Sequence, residues 1–226
     1  MDIKPGKCYG QRNPLWGRGV IKVNRQVRSS VLDFERYDVT AVYTTAGIEL
    51  VEHNIQPATI YTETGYEEVS EELFLKLRAM ARMTAASAKA MLKGCDLDTP
   101  APTTSPIAGV MACRTQQGCS VVRVLEADPL LPSYKVERLT ADTGLVYETR
   151  QLSVKQLTLD GYRHIPDTVW SNLYALWQKT ASAVELLLTA HHMMTGETDG
   201  TQLAEDYARG MQRLLGGVYD VVDVHK

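Results

Sequence analysis

The chain has 226 residues, of which 44% are hydrophobic and 23% are charged, and its formal net charge at pH 7 is −3. This composition is typical of a soluble globular protein with one large domain or two small ones. It excludes a membrane-spanning helix, because no apolar run reaches the ~18 residues that such a helix needs. The opening residues 1–13 contain no apolar segment, so no secretory signal is expected. We therefore expect a cytoplasmic protein with free thiols rather than disulfides at its four cysteines, Cys8, Cys95, Cys113 and Cys119.

The charge is distributed unevenly along the chain. Residues 1–28 carry seven Lys and Arg residues against one carboxylate, Asp2. Residues 33–72 carry ten carboxylates against one Lys or Arg residue, Arg36. Such polarity can steer a partner of either sign, although the exposed faces of soluble proteins are generally charged.

The first predicted elements are β-strands followed by a long helix. The segment GVIKV (19–23) has the alternation of a strand, and residues 37–43 and 48–55 predict a hairpin that turns at Thr44–Gly47. An amphipathic helix follows, for which Ser70 is a suitable N-cap. Its start is marked further by acidic residues at the positive end of the helix dipole and by a hydrophobic staple, at Glu71, Glu72, Val69 and Phe74.

The second half of the chain predicts the same series of elements. Three prolines in residues 94–106 indicate a semi-rigid linker. Strands are then predicted at 121–124, 134–140 and 145–152, followed by a second amphipathic helix. Beyond a break at 196–200, a shorter helix over 201–217 and a last strand in the tail VYDVVDV are predicted.

Two stretches of the chain carry one apolar pattern 96 residues apart, GYEEVSEELF from Gly65 and GYRHIPDTVW from Gly161. Apolar positions agree between the two copies, whereas most polar positions differ, which indicates the duplication of one module. Upstream, Tyr37 matches Tyr134 and Gly47 matches Gly144 at a spacing of 97. One extra residue between the turn and the helix accounts for the change in spacing.

The order of these hairpins resembles the SH3-like superfold of small β-barrels. The predicted fold class is therefore α+β, with two tandem repeats of a small SH3-like barrel, each followed by a long amphipathic helix, and a C-terminal helix. The predicted divisions are a first module (1–93), a linker (94–107), a second module (108–195) and a C-terminal helix with its tail (196–226).

The first module also resembles the Tudor branch of this superfold. The resemblance lies in Leu32-x-Phe34-x-x-Tyr37-Asp38, then Glu49-x-Val51 and Ile55-x-Pro57, although residues 39–43 insert a longer strand than the family pattern has. The resemblance implies an aromatic cage for methylated lysine or arginine, built from three or four rings. The candidate rings are Tyr9, Trp16, Phe34, Tyr37 and Tyr43, and the alternative is that they form the core of the module.

A basic segment provides a second candidate site in the first module. Lys22, Arg25 and Arg28 follow Arg18 along a strand and its turn, with Trp16 nearby. Small barrels bind nucleic acids with basic strands and stacking aromatic rings, so residues 16–28 are candidates for contacts with DNA or RNA.

The sequence offers little support for catalysis. The segment GRG (17–19) lacks the residues that follow in a phosphate-binding loop, and Cys113-x5-Cys119 does not have zinc-knuckle spacing. His191 and His192 are adjacent and point to different sides of a helix, so a metal site there is the weaker interpretation. We expect no cofactor, no metal and no enzymatic activity.

The function that these observations favour is non-enzymatic binding of another protein, as an adaptor or an inhibitor. Compact chains of this kind resemble accessory proteins of phages and mobile elements. Nucleic-acid binding through residues 16–28 is the alternative. Helices lined with Ala, Ser and Thr are also compatible with a homodimer. Trp170, Tyr174 and Trp177 are expected to cover the second module.

Overall fold

The computed structural model describes residues 3–11, 19–27, 35–58, 65–97, 107–115 and 118–195. These residues form ten strands and three helices. The strands are β1 (Cys8–Gln11), β2 (Gly19–Val27), β3 (Arg36–Tyr43), β4 (Gly47–Pro57), β5 (Tyr66–Val69), β6 (Val110–Arg114), β7 (Cys119–Ala127), β8 (Ser133–Ala141), β9 (Gly144–Ser153) and β10 (Arg163–His164). The helices are α1 (Glu71–Leu92), α2 (Val154–Leu159) and α3 (Asp167–Thr195).

All ten strands belong to one antiparallel sheet, in the order β5-β1-β2-β3-β4-β9-β8-β7-β6-β10. The prediction of two tandem SH3-like barrels, and with it the Tudor resemblance, is therefore wrong. The sheet is continuous because β4 pairs with β9, so that Ile48 lies opposite Leu145. Alternating side chains predict which segments are strands, but the free backbone edge of β4 carries no side-chain signature of the strand it will pair with.

The two halves of the sheet nevertheless have the same strand order, one on each side of the β4–β9 junction. Both predicted hairpins are confirmed, as β3–β4 and β8–β9. The β8–β9 pairing runs without a shift, whereas the β3–β4 register shifts between Val39 and Ala41. Val39 pairs with Asn54 and Ala41 pairs with Val51, so Glu52 and His53 both lie opposite Thr40. The extra residue in the first half is thus a β-bulge in β4.

The two long helices pack side by side on one face of the sheet and run antiparallel. Ser70 caps α1 as predicted, since its hydroxyl accepts a hydrogen bond from the backbone N–H of Leu73 at 3.2 Å. Where the helices cross, the hydroxyls of Thr84 and Thr180 are 3.2 Å apart and both residues are buried. Val184 of α3 packs over the first half of the sheet, and Leu92 of α1 packs over the second half. Each helix therefore also covers the half of the sheet that the other helix follows in the sequence.

The opposite face of the sheet carries a second buried layer in each half. In the first half it includes Ile21 and Val39. In the second half Val122 and Val136 pack with Leu157 of α2, which begins with a capping box at Ser153. Most of the predicted linker (98–106), the predicted helix over 201–217 and the predicted strand in the tail lie outside the described residues. Within the described part of the chain, none of the helices has an apolar stretch that would suffice to cross a bilayer.

Candidate functional site

The predicted binding residues fall into two groups. Lys22, Arg25, Tyr37 and Tyr43 lie on strands β2 and β3. The others lie outside the described residues, namely Trp16, Arg18, Arg28 and Phe34.

The described aromatic candidates pack mainly against the protein itself. Tyr37 is buried with Tyr9 in the layer away from the helices, and its hydroxyl donates to the carbonyl of Ile3 at 3.3 Å. Tyr43 is half-buried, and its hydroxyl accepts a hydrogen bond from the Gln56 amide at 3.0 Å. These contacts of Tyr37 and Tyr43 are those expected of core residues, which was the alternative interpretation to an aromatic cage.

The described basic candidates are both paired with carboxylates. Lys22 Nζ lies 2.6 Å from Glu71 Oε1 at the start of α1. Arg25 Nε lies 3.4 Å from Asp38 Oδ2. A phosphate group would have to compete with these two ion pairs, which lowers the attraction that this part of the basic segment offers.

Asp38 is the centre of a polar network beside the bulge in β4. Its side chain is 7% exposed and accepts a hydrogen bond from the Asn24 amide at 3.2 Å. His53 Nδ1 lies 3.4 Å from the same carboxylate, and His53 has a φ of 55°, which non-glycine residues rarely adopt. Burial would raise the pKa of Asp38, but the hydrogen bonds from Asn24, His53 and Arg25 outweigh it and hold the pKa below its ordinary value.

A second polar network joins Glu52, the residue before His53 in β4, to α1. Glu52 Oε1 accepts hydrogen bonds from Arg78 and Arg82, each at 2.8 Å. These hydrogen bonds hold the pKa of Glu52 below its ordinary value. The network attaches the helix to the sheet through partly exposed side chains, between which ion pairs contribute little to stability.

In the second half, a group of aromatic rings joins α3 to the sheet. Trp177 contacts Tyr147 of β9 with ring centroids 4.6 Å apart, and its indole N–H donates to the carbonyl of Ala46 at 3.0 Å. The guanidinium of Arg123 lies 5.2 Å from the ring centroid of Trp170 and pairs with Glu137. Trp170 is buried and the neighbouring rings are half-buried, so this group covers the sheet rather than forming an exposed aromatic patch.

The most exposed large apolar side chain among the described residues, Leu130, lies on the β7–β8 hairpin, in a segment that we call the leucine turn (Asp128–Ser133). Leu130 is 90% exposed and Leu131 is 59% exposed. The carboxylate of Asp128 accepts hydrogen bonds from the backbone N–H of Leu130 at 2.9 Å and of Leu131 at 3.0 Å. Hairpin turns are generally polar, so two adjacent leucines in a hydrogen-bonded turn suggest a contact surface.

Further contacts fix the leucine turn to the sheet. Gln151 of β9 donates to the other carboxylate oxygen of Asp128 at 3.2 Å, and the backbone N–H of Asp128 donates to the carbonyl of Ser133 at 2.8 Å. The hydrogen bonds from the backbone of Leu130 and Leu131 hold the pKa of Asp128 below its ordinary value. The turn therefore presents its leucines in a defined conformation at neutral pH.

Sequence reasoning missed the leucine turn, although it had a visible signal. The segment DPLLPS (128–133) interrupts two strand patterns with two prolines and two leucines. An apolar pair between turn-forming residues is unusual, and the pattern was available without a structure.

The cysteines have environments that disfavour nucleophilic chemistry. All four thiols are free, and Cys8, Cys113 and Cys119 are buried. Burial raises the pKa of Cys8 and of Cys113 to about 11, so these thiols are protonated at neutral pH, and only the thiolate is a good nucleophile.

Among the side chains that the structure describes, no three His, Cys, Asp or Glu residues come together in a way that could hold a metal ion. His191 and His192 lie near the end of α3. The chain matches no protein-family model, no curated protein and no solved structure.

Proposed function

We propose that the chain is a non-enzymatic protein-binding protein, an adaptor or an inhibitor, that acts in the cytoplasm through the leucine turn. The supporting observation is the exposure of Leu130 and Leu131 in a turn that Asp128 holds in place with four hydrogen bonds. Exposed leucines add nothing to folding, whereas burying one against a partner contributes about 2 kcal/mol.

The rigidity of the turn supports binding in a second way. A loop that is ordered before binding does not lose its conformational freedom in the complex, so more of the contact energy appears as affinity. Asp128 provides this order without contributing apolar surface of its own. Its role can therefore be separated experimentally from the role of the leucines.

The proposal is tested by capture from an extract of the cells that express the gene, followed by mass spectrometry. We expect wild-type protein to retain a specific partner that the double variant Leu130→Ser/Leu131→Ser loses by at least tenfold. Ile55→Ser is the matched control, because Ile55 is an exposed aliphatic residue on β4 in the other half of the sheet. Unchanged capture by the double variant would show that the turn is not the binding surface.

The variant Asp128→Ala tests the contribution of order. It keeps both leucines and removes the acceptor of their backbone N–H groups. We expect several-fold weaker binding to the captured partner, measured by surface plasmon resonance. Binding equal to that of the wild type would mean that the leucines act without a fixed conformation.

Nucleic-acid binding through residues 16–28 stays an alternative proposal. Its support is the density of basic residues in that segment, and the ion pairs of Lys22 and Arg25 weigh against it. Fluorescence anisotropy with labelled DNA and RNA at low salt tests it. Phosphate-driven binding must weaken as salt rises, so affinity that is absent or independent of salt excludes this mode.

A further inference from the structure

The strand pairs at the junction between the two halves are related by two-fold symmetry. Ile48 and Leu145 are matching residues at the spacing of 97, and they lie opposite each other. The pairs on either side are Gly47 with Val146 and Glu49 with Gly144. Each of these two pairs becomes the other when the first half is exchanged for the second.

The backbone hydrogen bonds beside this junction follow the same symmetry. The N–H of Tyr147 donates to the carbonyl of Ala46 at 2.7 Å. At the matching positions of the other half, the N–H of Leu50 donates to the carbonyl of Thr143 at 3.4 Å. The symmetric contact therefore continues beyond the three paired residues of each strand.

Two glycines related by this symmetry allow the strands to approach each other. A Cβ atom on Gly47 would meet the carbonyl oxygen of Leu145, and a Cβ atom on Gly144 would meet the carbonyl oxygen of Ile48. Each half thus provides the same residue at the same point of contact, as the two subunits of a symmetric dimer do.

The exchange of halves also relates the two long helices. Thr84 of α1 and Thr180 of α3 are matching residues at the spacing of 96, and their hydroxyls are 3.2 Å apart where the antiparallel helices cross. The sheet and the helical layer are therefore both centred on a contact between matching residues.

The strands of the two halves do not interleave. In the described part of the chain, the strands before residue 70 lie on one side of the junction and those after residue 109 lie on the other. The helices reach across it, since Leu92 of α1 belongs to one apolar cluster with Val110, and Val184 of α3 belongs to another with Val20. Extensive apolar contact of this kind is typical of the interface of an obligate dimer.

We propose that the junction is a subunit interface, formed by β4 and α1 with β9 and α3, which assembles without a covalent link between the halves. The chain then has the architecture of a fused homodimer. The partner that the first half recognises is the second half, and the second half of another copy of the chain fits it equally well. This inference does not depend on the leucine turn, which takes no part in these contacts.

The test begins with the full chain, into which a protease site is inserted between Thr103 and Thr104 in the predicted linker. The linker is cleaved after folding, and size-exclusion chromatography with light scattering then measures the mass. We expect the two fragments to elute together with the 25.1 kDa mass of the intact chain. Fragments that elute separately, or that precipitate on cleavage, would overturn the proposal.

Urea denaturation distinguishes a subunit interface from a contact that the covalent link maintains. Unfolding of the cleaved protein separates two molecules, so its midpoint should rise with protein concentration. The uncleaved protein with the same insertion is the control, and its midpoint should not depend on concentration. The proposal also fails if the midpoint of the cleaved protein is independent of concentration, because the halves then unfold separately.

Exchange between copies tests the identity of the partner. Cleaved protein with a tagged first half is unfolded in urea together with cleaved protein whose second half carries a fluorescent label, and the mixture is refolded. We expect the tagged first half to capture the labelled second half, and Gly144→Ala in the second half to reduce this capture at least tenfold. Gly94→Ala in the first half is the control, since a Cβ atom there meets nothing within 4 Å. Absence of capture, or equal capture with Gly144→Ala, contradicts a subunit interface at the junction.

Discussion

The two halves of the sheet use one backbone plan for different chemistry, and the contrast is sharpest at one pair of positions. In the first half, Arg25 of β2 lies opposite Asp38 of β3 and pairs with it. In the second half, Glu126 of β7 lies opposite Lys135 of β8 and pairs with it at 3.2 Å. The same register position thus holds an ion pair of reversed polarity. The strand pairing persists, while the charges on it are free to change.

The pairs also differ in their surroundings. The Asp38 carboxylate is buried and is contacted by Asn24 and His53 as well as Arg25, whereas Glu126 and Lys135 are both exposed. Part of the difference lies in the bulge in β4, which has no counterpart in β9 and contains His53, the residue that contacts the carboxylate from this strand.

The largest expected effect comes from breaking the junction between the halves. Gly144 presses against the backbone of β4, so that a Cβ atom there would lie 2.7 Å from the carbonyl carbon of Ile48. We expect Gly144→Ala to reduce the free energy of unfolding by about 3 kcal/mol or more, because backbone atoms cannot move aside. Urea denaturation measures this change.

Gly94→Ala is the matched control for the junction. A Cβ atom at Gly94 meets nothing within 4 Å, and its φ is not positive. The control should therefore lie within about 0.5 kcal/mol of the wild type. Equal stability of the two variants would contradict the pairing of β4 with β9, and with it the single continuous sheet.

A smaller effect distinguishes the two ion pairs. We expect Asp38→Ala to cost about 2 kcal/mol, because it removes the buried carboxylate that Asn24, Arg25 and His53 share as a hydrogen-bonding partner. Lys135→Ala should change stability by about 0.5 kcal/mol or less, as exposed pairs do. Urea denaturation of both variants at pH 7 measures the difference, and equal costs would show that Asp38 is not buried in solution.

The pH dependence sharpens the same comparison. The pKa of Asp38 is lower in the folded protein than its ordinary value of 3.8, so its charged form stabilises the fold above that value. This contribution is lost as the pH falls from 3.8 through the lower folded pKa. Asp38→Asn lacks the titrating group, so the difference in stability between wild type and variant should shrink between pH 7 and pH 3.

The local elements could be predicted from the sequence, whereas the junction could not. Alternating residues around Tyr37 and Tyr134 predicted both hairpins, and Ser70 predicted the start of α1. These signals depend on side chains that are close along the chain. The pairing of Ile48 with Leu145 depends on backbone edges, and Gly47 and Gly144 were interpreted as turn residues when they also allow the close approach of two strands. The antiparallel crossing of the helices could not be predicted either, because it depends on contacts between residues that are far apart along the chain.

The candidate site was missed for a different reason. Aromatic and basic residue types point to Tyr37, Lys22 and Arg25 as binding residues, but Tyr37 is buried and the two cations are ion-paired. Exposure cannot be deduced from residue type alone. The leucine turn breaks the usual rule for a turn, and such a local exception was a better guide than a match to a known kind of site.

The smallest expected effect concerns the point where the two helices cross. Thr84 and Thr180 occupy matching positions in the two halves and share a buried contact between their hydroxyls. We expect Thr84→Val to cost about 1 kcal/mol, since it leaves the Thr180 hydroxyl buried without this partner. The double variant Thr84→Val/Thr180→Val should recover most of the loss, because two methyl groups of the same shape then face each other. Urea denaturation of the four proteins in a double-mutant cycle should give a coupling of about 1 kcal/mol.

An exposed threonine provides the reference for this cycle. Thr158 on α2 is exposed and donates to the carbonyl of Val154, so Thr158→Val should change stability little. If the two substitutions at the crossing are strictly additive, the hydroxyls do not interact and the helices cross elsewhere. Coupling would show that Thr84 and Thr180, 96 positions apart, are in direct contact where the two helices cross. The correspondence between the two halves would then include the helices as well as the strands.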